Sequence, residues 1–383
     1  MIRTPIPAPV LRDRFANLKD ATYLISHSMG AAPLAARDAL VAYWDDWSHD
    51  GPEAWERWLP QIETIADGLA ALLGAPNGSI ALGPNVSAFQ ETIASALDFS
   101  GERNEVVYEA LQFPSLTYVW DAWQRHGARV VRVASDDGMT IPTERIIAAI
   151  TERTSLVVLS HAYYVSGALV DVDAVVARAK DVGALVMLDV YQTAGAIPID
   201  LNALDVDMAV GGSHKWLCGG PGCGFLYVRP NLRDRFSPTA TGWMAHAQPF
   251  AFEAAPMRYA QTMMRYTNGT PSMPAYLVAQ PGHDMIASVG MGPIRAHNIA
   301  LTTLLLDEAD ARGIRTPTPR DPARRSGWIG LDVPNGARIT DALLERRIFV
   351  DYRPGCGIRV GPHFYSTTDE IQTLVRALDE LMH

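Results

Sequence analysis

Residues 205–228 read DVDMAVGGSHKWLCGGPGCGFLYV, in which one apolar run leads to Lys215 and a glycine-rich turn opens a second run. His214 and Trp216 flank the lysine. The pattern predicts a strand, a turn that carries the lysine, and another strand. A lysine amine among apolar neighbours can lose its proton and attack an aldehyde. On its own, such a lysine is more often a surface residue beside a loop.

The glycine-rich turn GGPGCG, at residues 219–224, superficially resembles a dinucleotide-binding loop. Such a loop follows a strand and opens a helix, whereas this turn precedes a strand. We therefore interpret its glycines as residues that let the backbone turn tightly beside the lysine.

Asp189 ends the apolar run ALVMLD, 26 residues before Lys215. Its carboxylate would lie at the carboxyl end of a sheet, the edge at which open α/β folds bind ligands. A carboxylate there can keep a pyridine nitrogen protonated, which makes the ring an electron sink. A helix cap is an equally good interpretation of this aspartate alone.

Short apolar runs alternate with helical patterns through the middle of the chain, and this predicts βαβ units with a mostly parallel sheet. The runs are EVVYEA (105–110), ARVVRVA (128–134), SLVVLSHA (155–162), ALVMLDV (184–190), DVDMAVGG (205–212) and CGFLYVR (223–229). An amphipathic helix is predicted within residues 170–183.

The pattern changes after about residue 285 and predicts a smaller α+β domain. We expect a long helix to Ala311, a strand near Trp328, a helix from Ile339 to Arg346, and short strands at IFVDY (348–352) and GIRVG (357–361). A last helix follows, for which Thr367 or Thr368 can serve as the N-cap.

Composition excludes several classes of function. The chain of 383 residues is 48% hydrophobic and 19% charged, and it is long enough for two domains with a large core. Its net charge of -10 repels nucleic acid and anionic membranes. No apolar run is long enough to span a bilayer. The three cysteines predict no disulfides, so we expect a reducing compartment and a cytoplasmic protein. The histidine spacing predicts no metal site. Pro5, Pro7 and Pro9 predict an extended N-terminal arm.

A candidate anion site lies in LGPNVSAFQETIASAL, at residues 82–97. Pro84 and Asn85 interrupt the chain, and a helix is predicted to begin near Val86. The free N–H groups of its first turn and the Ser87 hydroxyl are suited to a phosphate. Most helices of this kind bind nothing, so the feature needs support from other residues.

Eight segments in the same order make the chain resemble the class V, fold type I enzymes that use pyridoxal 5′-phosphate (PLP), and among them kynureninase. They are YLISHSMGA (23–31), QFPSLTY (112–118), LSHAYYVSGALVDV (159–172), LDVYQTAGAIPIDL (188–201), GGSHKWLCGGPG (211–222), TGWMAHAQPFAFE (241–253), RYTNGTPSM (265–273) and IRVGPHFYSTTDEI (358–371). The resemblance implies a large domain with a seven-stranded, mostly parallel sheet and a smaller C-terminal α+β domain. We place the N-terminal arm and part of the small domain at residues 1–45, the PLP-binding domain at 46–270 and the small domain at 271–383.

The resemblance also implies roles for individual residues. Lys215 would carry PLP as a Schiff base, Asp189 would pair with the pyridine nitrogen, and Phe113 would stack on the ring. The implied phosphate ligands are Val86, Ser87, His214 and Trp243. Asn268 and Thr270 would approach from the second subunit of a homodimer with shared active sites.

Arg359 occupies the position of the arginine that binds the substrate α-carboxylate in this family, a contact that suits a planar guanidinium. The alternative is a strand arginine that points to solvent. His27, Ser28 and Trp44 are further candidates to line the pocket, although Trp44 is an equally good core residue. Cys356 lies too close to Arg359 to resemble the sulfur-accepting cysteine of desulfurases, and we interpret it as structural.

Three residues depart from the kynureninase pattern: Leu116 replaces an aspartate, Gln192 a histidine, and His214 a tyrosine implicated in proton transfer. Gln192 and His214 resemble the broader class V pattern, in which they contact the cofactor's phenolic oxygen and phosphate.

The resemblance to kynureninase gives the first hypothesis, a hydrolase that cleaves the Cβ–Cγ bond of an L-amino acid with a γ-carbonyl, as in L-kynurenine, and releases alanine and an acid. The second is a class V aminotransferase, epimerase or β-lyase. The third is a binding or regulatory protein on a degenerate PLP fold, against which the presence of Lys215, Asp189 and Arg359 argues.

Overall fold

The computed structural model describes residues 11–382, so the predicted arm with Pro5, Pro7 and Pro9 lies outside the described residues. The strands are β1 (Thr22–Tyr23), β2 (Ile80–Gly83), β3 (Glu105–Glu109), β4 (Arg129–Val133), β5 (Thr154–Ser160), β6 (Leu185–Asp189), β7 (Met208–Gly212), β8 (Gly224–Val228), β9 (Ile329–Leu331), β10 (Ile348–Phe349), β11 (Asp351–Arg353) and β12 (Gly357–Val360). The α-helices are α1 (Leu34–Asp50), α2 (Trp55–Leu72), α3 (Val86–Ala94), α4 (Pro114–Trp123), α5 (Thr143–Ala149), α6 (Val172–Asp181), α7 (Met273–Val289), α8 (Met291–Ala311), α9 (Gly336–Glu345) and α10 (Thr368–Met382).

Seven strands form the large sheet in the order β2-β8-β7-β6-β5-β3-β4. Only β8 runs antiparallel to its neighbours β2 and β7, and the other pairs are parallel. The predicted fold class, with its mostly parallel seven-stranded sheet, is therefore confirmed. The apolar runs in the sequence predict six of these strands but not β2, whose four residues precede the predicted phosphate-binding helix.

Buried apolar residues cover both faces of this sheet, which explains why its strands appear in the sequence as continuous apolar runs. Helices α2, α6 and α7 pack on one face, and α3 and α4 pack on the other. Because β3, β5, β6 and β7 are parallel, their last residues reach the same edge. Glu109, Ser160, Asp189 and Gly212 end these four strands.

The C-terminal region contains the antiparallel sheet β11-β12-β9, and the apolar faces of α8, α9 and α10 cover it. Strand β1 pairs with β10 in parallel, so the N-terminal residues join this region. The last helix begins with a capping box: Thr367 Oγ1 accepts the Glu370 N–H at 3.1 Å, and the Glu370 carboxylate accepts the Thr367 N–H at 2.9 Å.

The long helix predicted to end at Ala311 is α8, which begins at Met291, and Gly290, whose φ is 84°, separates it from α7. Met273 and Tyr276 of α7 pack into the core of the large sheet, whereas Ile286 packs against the N-terminal segment. A division of domains at residue 270 stays a proposal, and α7 would connect the two parts. None of the helices within residues 11–382 is long and apolar enough to cross a membrane.

Candidate functional site

A cavity of about 260 Å³ opens at the carboxyl edge of the large sheet. It brings together seven of the residues singled out from the sequence, namely Val86, Ser87, Phe113, Asp189, Gln192, His214 and Lys215. Leu116 lines it as well. These residues lie in α3 and α4, at the end of β6, and in the loops after β3, β6 and β7, so the fold brings them together.

Lys215 lies in the turn between β7 and β8, with its Nζ 4.7 Å from the centroid of the Tyr191 ring and 5.7 Å from that of Phe113. Burial lowers the pKa of its amine to about 8, and the negative charge of Asp189 partly opposes this shift. A larger fraction of the amine is therefore neutral near pH 8 than for an ordinary lysine, as a nucleophile or base requires.

Asp189 ends β6 at the floor of the cavity, where only 8% of its surface is exposed. Its Oδ1 accepts the Tyr191 N–H at 2.7 Å. Burial raises the pKa of this carboxyl to about 6, while that hydrogen bond and the charge of Lys215 act in the opposite direction. A buried carboxylate with few compensating contacts gains most from a cationic N–H partner.

The N-terminus of α3 forms one wall of the cavity. Asn85 caps the helix, and its side-chain oxygen accepts the Ala88 N–H at 2.9 Å. Gly224 lets β8 approach this turn, because a Cβ at that position would lie 2.9 Å from the Cα of Asn85. Val86 and Ser87 begin the helix, so their N–H groups are available to an anion.

Phe113 precedes α4 and is 48% exposed, so it is not a residue of the hydrophobic core. Its ring meets Tyr164 edge-on, with the centroids 5.3 Å apart. The two rings form an aromatic wall next to Lys215, and Leu116 extends that wall with an apolar side chain. A flat, unsaturated ligand fits such a wall.

Arg359 is buried, so its interpretation as a solvent-facing strand residue is wrong. Its guanidinium bonds both carboxylate oxygens of Asp351, at 2.8 and 2.6 Å, and donates from Nη1 to the backbone oxygen of Tyr164 at 2.9 Å. His27 Nε2 lies 2.9 Å from the same carboxylate. Although burial alone would raise the pKa of Asp351, these two partners hold it well below its usual range.

Gln192 follows the strand of Asp189 and donates from Nε2 to the backbone oxygen of His27 at 3.3 Å. Its Oε1 is buried without a hydrogen-bond partner among the described residues. Buried polar atoms are normally paired, so this oxygen marks a position at which a ligand group would bind.

Several candidate residues do not reach the cavity of their own chain. Trp243 is 39% exposed and stacks with Phe252, and Asn268 contacts the same loop through its backbone oxygen, which accepts the Met244 N–H. Thr270 is exposed, and Ser28 lies in the turn after Ile25. Trp44 is 59% exposed on α1, so its interpretation as a core residue is wrong.

Several residues of the site were not among the candidates from the sequence. Tyr191, Tyr164 and Ser160 line the cavity, and Asp351 holds Arg359. Ser160 and Tyr191 stand at or just after strand ends, where neighbouring strands deliver side chains to the same edge. That position was a signal available in the sequence, whereas nothing local to Asp351 indicates its partner eight residues away.

The three cysteines are free and buried, and burial raises the pKa of each thiol. Cys356 is fully enclosed, which supports its interpretation as a structural residue. Among residues 11–382, no group of three or more histidine, cysteine or acidic side chains is arranged to hold a metal ion.

Comparison with known proteins identifies the fold and the family. The model of the family "Aminotransferase class-V" matches residues 23–377. Kynureninase of Pseudomonas fluorescens is 30% identical, over 97% of this chain and 92% of that protein, and the uncharacterized aminotransferase YcbU of Bacillus subtilis is 29% identical, over 97% and 96%. The solved cysteine desulfurase of Thermococcus onnurineus NA1 superimposes with a TM-score of 0.87 at 20% identity, covering 100% of this chain and 99% of the desulfurase.

Proposed function

Because the chain belongs to the class V aminotransferase family, whose cofactor is PLP, we propose that it is a kynureninase-like hydrolase. The substrate would be an L-amino acid with a γ-carbonyl, of the L-kynurenine type, and the products alanine and an acid. The observation that carries this proposal is the similarity to kynureninases over more than nine-tenths of their length. The aromatic wall of Phe113 and Tyr164 offers a surface for an aryl ketone.

The residues of the cavity fit the cofactor. The amine of Lys215 matches the aldehyde of PLP, and the buried carboxylate of Asp189 matches its pyridinium. The first turn of α3 matches the phosphate, and the unpartnered oxygen of Gln192 matches the phenolic hydroxyl. When bound, PLP supplies an electron sink that stabilises negative charge at the substrate Cα.

The chain's own residues would perform the remaining work. Lys215, once its amine is free, takes the Cα proton, which its lowered pKa favours. Arg359 would hold the α-carboxylate, and Asp351 keeps that guanidinium in place. Water adds to the γ-carbonyl carbon, the Cβ–Cγ bond then breaks, and Cβ receives a proton as the acid leaves. Lys215 then returns a proton to Cα, which completes alanine.

Incubation with L-kynurenine tests the proposal. We expect fluorescent anthranilate and an equal amount of alanine without any keto acid, and neither product from Lys215→Ala. Turnover that requires a keto-acid acceptor would instead establish an aminotransferase, the first reaction of the second candidate. Its other reactions, those of a class V epimerase or β-lyase, need no keto acid and would give the D-amino acid or a released β-substituent. The similarity to YcbU and the apolar Leu116 in the cavity favour that candidate. A visible absorption band that persists in Lys215→Ala would contradict the assignment of Lys215.

A homodimer with shared active sites is part of the proposal. Trp243, Phe250 and Phe252 form an exposed aromatic cluster, and the Asn268 backbone oxygen accepts the N–H of Met244, the residue after Trp243. Exposed apolar clusters of this kind support subunit contact. A second chain would bring Trp243, Asn268 and Thr270 towards the phosphate end of the cavity.

The proposed location is the cytoplasm. Cys218, Cys223 and Cys356 are all free thiols, which accords with a reducing compartment. Fractionation of the source cells, with the protein detected by antibody, tests this location.

A further inference from the structure

Tyr191 and His214 form a hydrogen-bonded pair on the wall of the cavity, with Tyr191 Oη 2.8 Å from His214 Nδ1. Tyr191 follows the strand that ends in Asp189, and His214 directly precedes Lys215. The pair therefore connects the two loops that carry the principal residues of the site. None of the roles assigned above uses the tyrosine side chain.

The position of the tyrosine hydroxyl is built into the fold. Tyr191 N–H is held by the Asp189 carboxylate. Its hydroxyl lies over the backbone of Gly212, where a Cβ would collide with the phenol oxygen. Glycine at residue 212 thus provides the space that allows the hydroxyl to reach His214.

Both members of the pair are neutral near pH 7. Burial lowers the pKa of His214 to about 4, and the charge of Lys215 acts in the same direction. Burial also raises the pKa of Tyr191 well above its ordinary value, and the charge of Asp189 adds to this effect. A neutral imidazole has one N–H and one acceptor nitrogen, and that nitrogen accepts a hydrogen bond more strongly than a phenol oxygen does.

We propose that Tyr191 is a positioning residue that donates to Nδ1 of His214 and so fixes the imidazole as its Nε2-protonated tautomer. The neutral ring then presents an N–H donor to an anionic group in the cavity, and it does not need to gain a proton. The first turn of α3 lines the same cavity with further N–H donors. A phosphate is the anion that this set of neutral donors suits. The inference holds for any reaction that the enzyme performs.

Nitrogen-15 NMR of the apoenzyme with labelled histidine tests the tautomer directly, because protonated and unprotonated ring nitrogens have distinct shifts. His214→Gln identifies the signals of His214. In the unmodified protein we expect Nε2 to carry the proton. A ring protonated on Nδ1 would overturn the proposal, and this result requires no variant of Tyr191.

Tyr191→Phe removes the hydroxyl and keeps the ring. We expect a mixture of His214 tautomers and a dissociation constant for PLP about five- to tenfold higher, since one fixed donor is lost. Tyr163→Phe is the matched control, because that hydroxyl is buried without a hydrogen-bond partner in the described part of the chain and lies outside the cavity. The control should keep the original tautomer and affinity. An unchanged tautomer in Tyr191→Phe would contradict the proposal.

Discussion

Lys215 and Asp189 influence each other's protonation because both are enclosed at the same edge of the sheet. Burial lowers the pKa of the amine and raises that of the carboxyl, while each group's charge partly opposes the shift of the other. A ligand that brings a positive N–H to Asp189 would remove the cost of its buried charge. In the proposed site, the chemistry would therefore depend on two residues, Lys215 and Asp189, whose pKa values are shifted by their burial.

Asp189→Asn tests the role of this charge at nearly constant shape. An amide cannot balance a protonated ring nitrogen, so we expect kcat to fall by about 100-fold or more with the fold unchanged. Circular dichroism and the rate of product formation measure these two quantities. Asp189→Glu, which keeps the charge, should retain more activity than the asparagine variant; equal activity of Asp189→Asn and the unmodified enzyme would contradict the assignment.

The rate at which the apoenzyme captures PLP should depend on the protonation of Lys215. Only the neutral amine attacks the aldehyde, so the rate should rise with pH and reach half its maximum near pH 8. Stopped-flow absorbance between pH 6 and 10 measures this profile. The reaction of PLP with Nα-acetyl-lysine, whose amine titrates near about 10.4, corrects for the titration of PLP itself. A midpoint near 10 for the protein would show that burial does not activate the lysine.

At the scale of elements, the turn after β7 carries His214 and Lys215, and Gly212 at the end of β7 leaves space for the Tyr191 hydroxyl. Gly212→Ala would place a methyl group against the tyrosine hydroxyl. We expect a loss of about 1–3 kcal/mol of unfolding free energy and weaker PLP binding, because the side chain must move. Urea denaturation and PLP titration measure the two effects.

Gly68→Ala in α2 is the control for this substitution. Its added Cβ would meet no atom within 4 Å, and alanine favours a helix over glycine by about 1 kcal/mol. The control should therefore be slightly more stable and bind PLP normally. If both variants behaved alike, the space above Gly212 would have no special role.

Periodicity and strand ends in the sequence predicted much of this architecture, including β5 to β8, α6 and the capped final helix. They did not reveal β2, which is four residues long, or α7, which ends just before the predicted long helix begins. Lys215, Asp189 and Phe113 were identified through the order of motifs. Asp351 was missed because its role depends on a contact between two strands, which no local pattern encodes. Tyr191 was missed although it directly follows a strand end, a position that the sequence does indicate.

At the scale of the whole molecule, a single chain supplies most of the residues that line the cavity. Several candidate ligands of the cofactor lie outside the cavity, on the surface of that chain. Trp243 and Asn268 lie together on an exposed loop region, and the apolar residues of α1 are exposed too, including Leu40, Val41, Trp44 and Trp47. A closed twofold dimer would bury such surfaces in pairs and give each cavity residues from the opposite chain. The proposal of shared active sites thus explains both the exposed apolar surface and the displaced ligands.

Mixing two inactive variants tests this arrangement. Lys215→Ala lacks the amine in its own cavity, and Trp243→Ala would lack the aromatic ligand that it lends to the opposite cavity. After equal amounts are dissociated and reassociated, half of the dimers should be hybrids, and each hybrid would contain one cavity with both Lys215 and Trp243 intact. We expect about a quarter of the unmodified activity to return, measured per total chain. If Trp243 acted within its own chain, every cavity of the hybrid would lack one residue and no activity would return; a chain that stays monomeric in analytical ultracentrifugation would contradict the proposal at its first step.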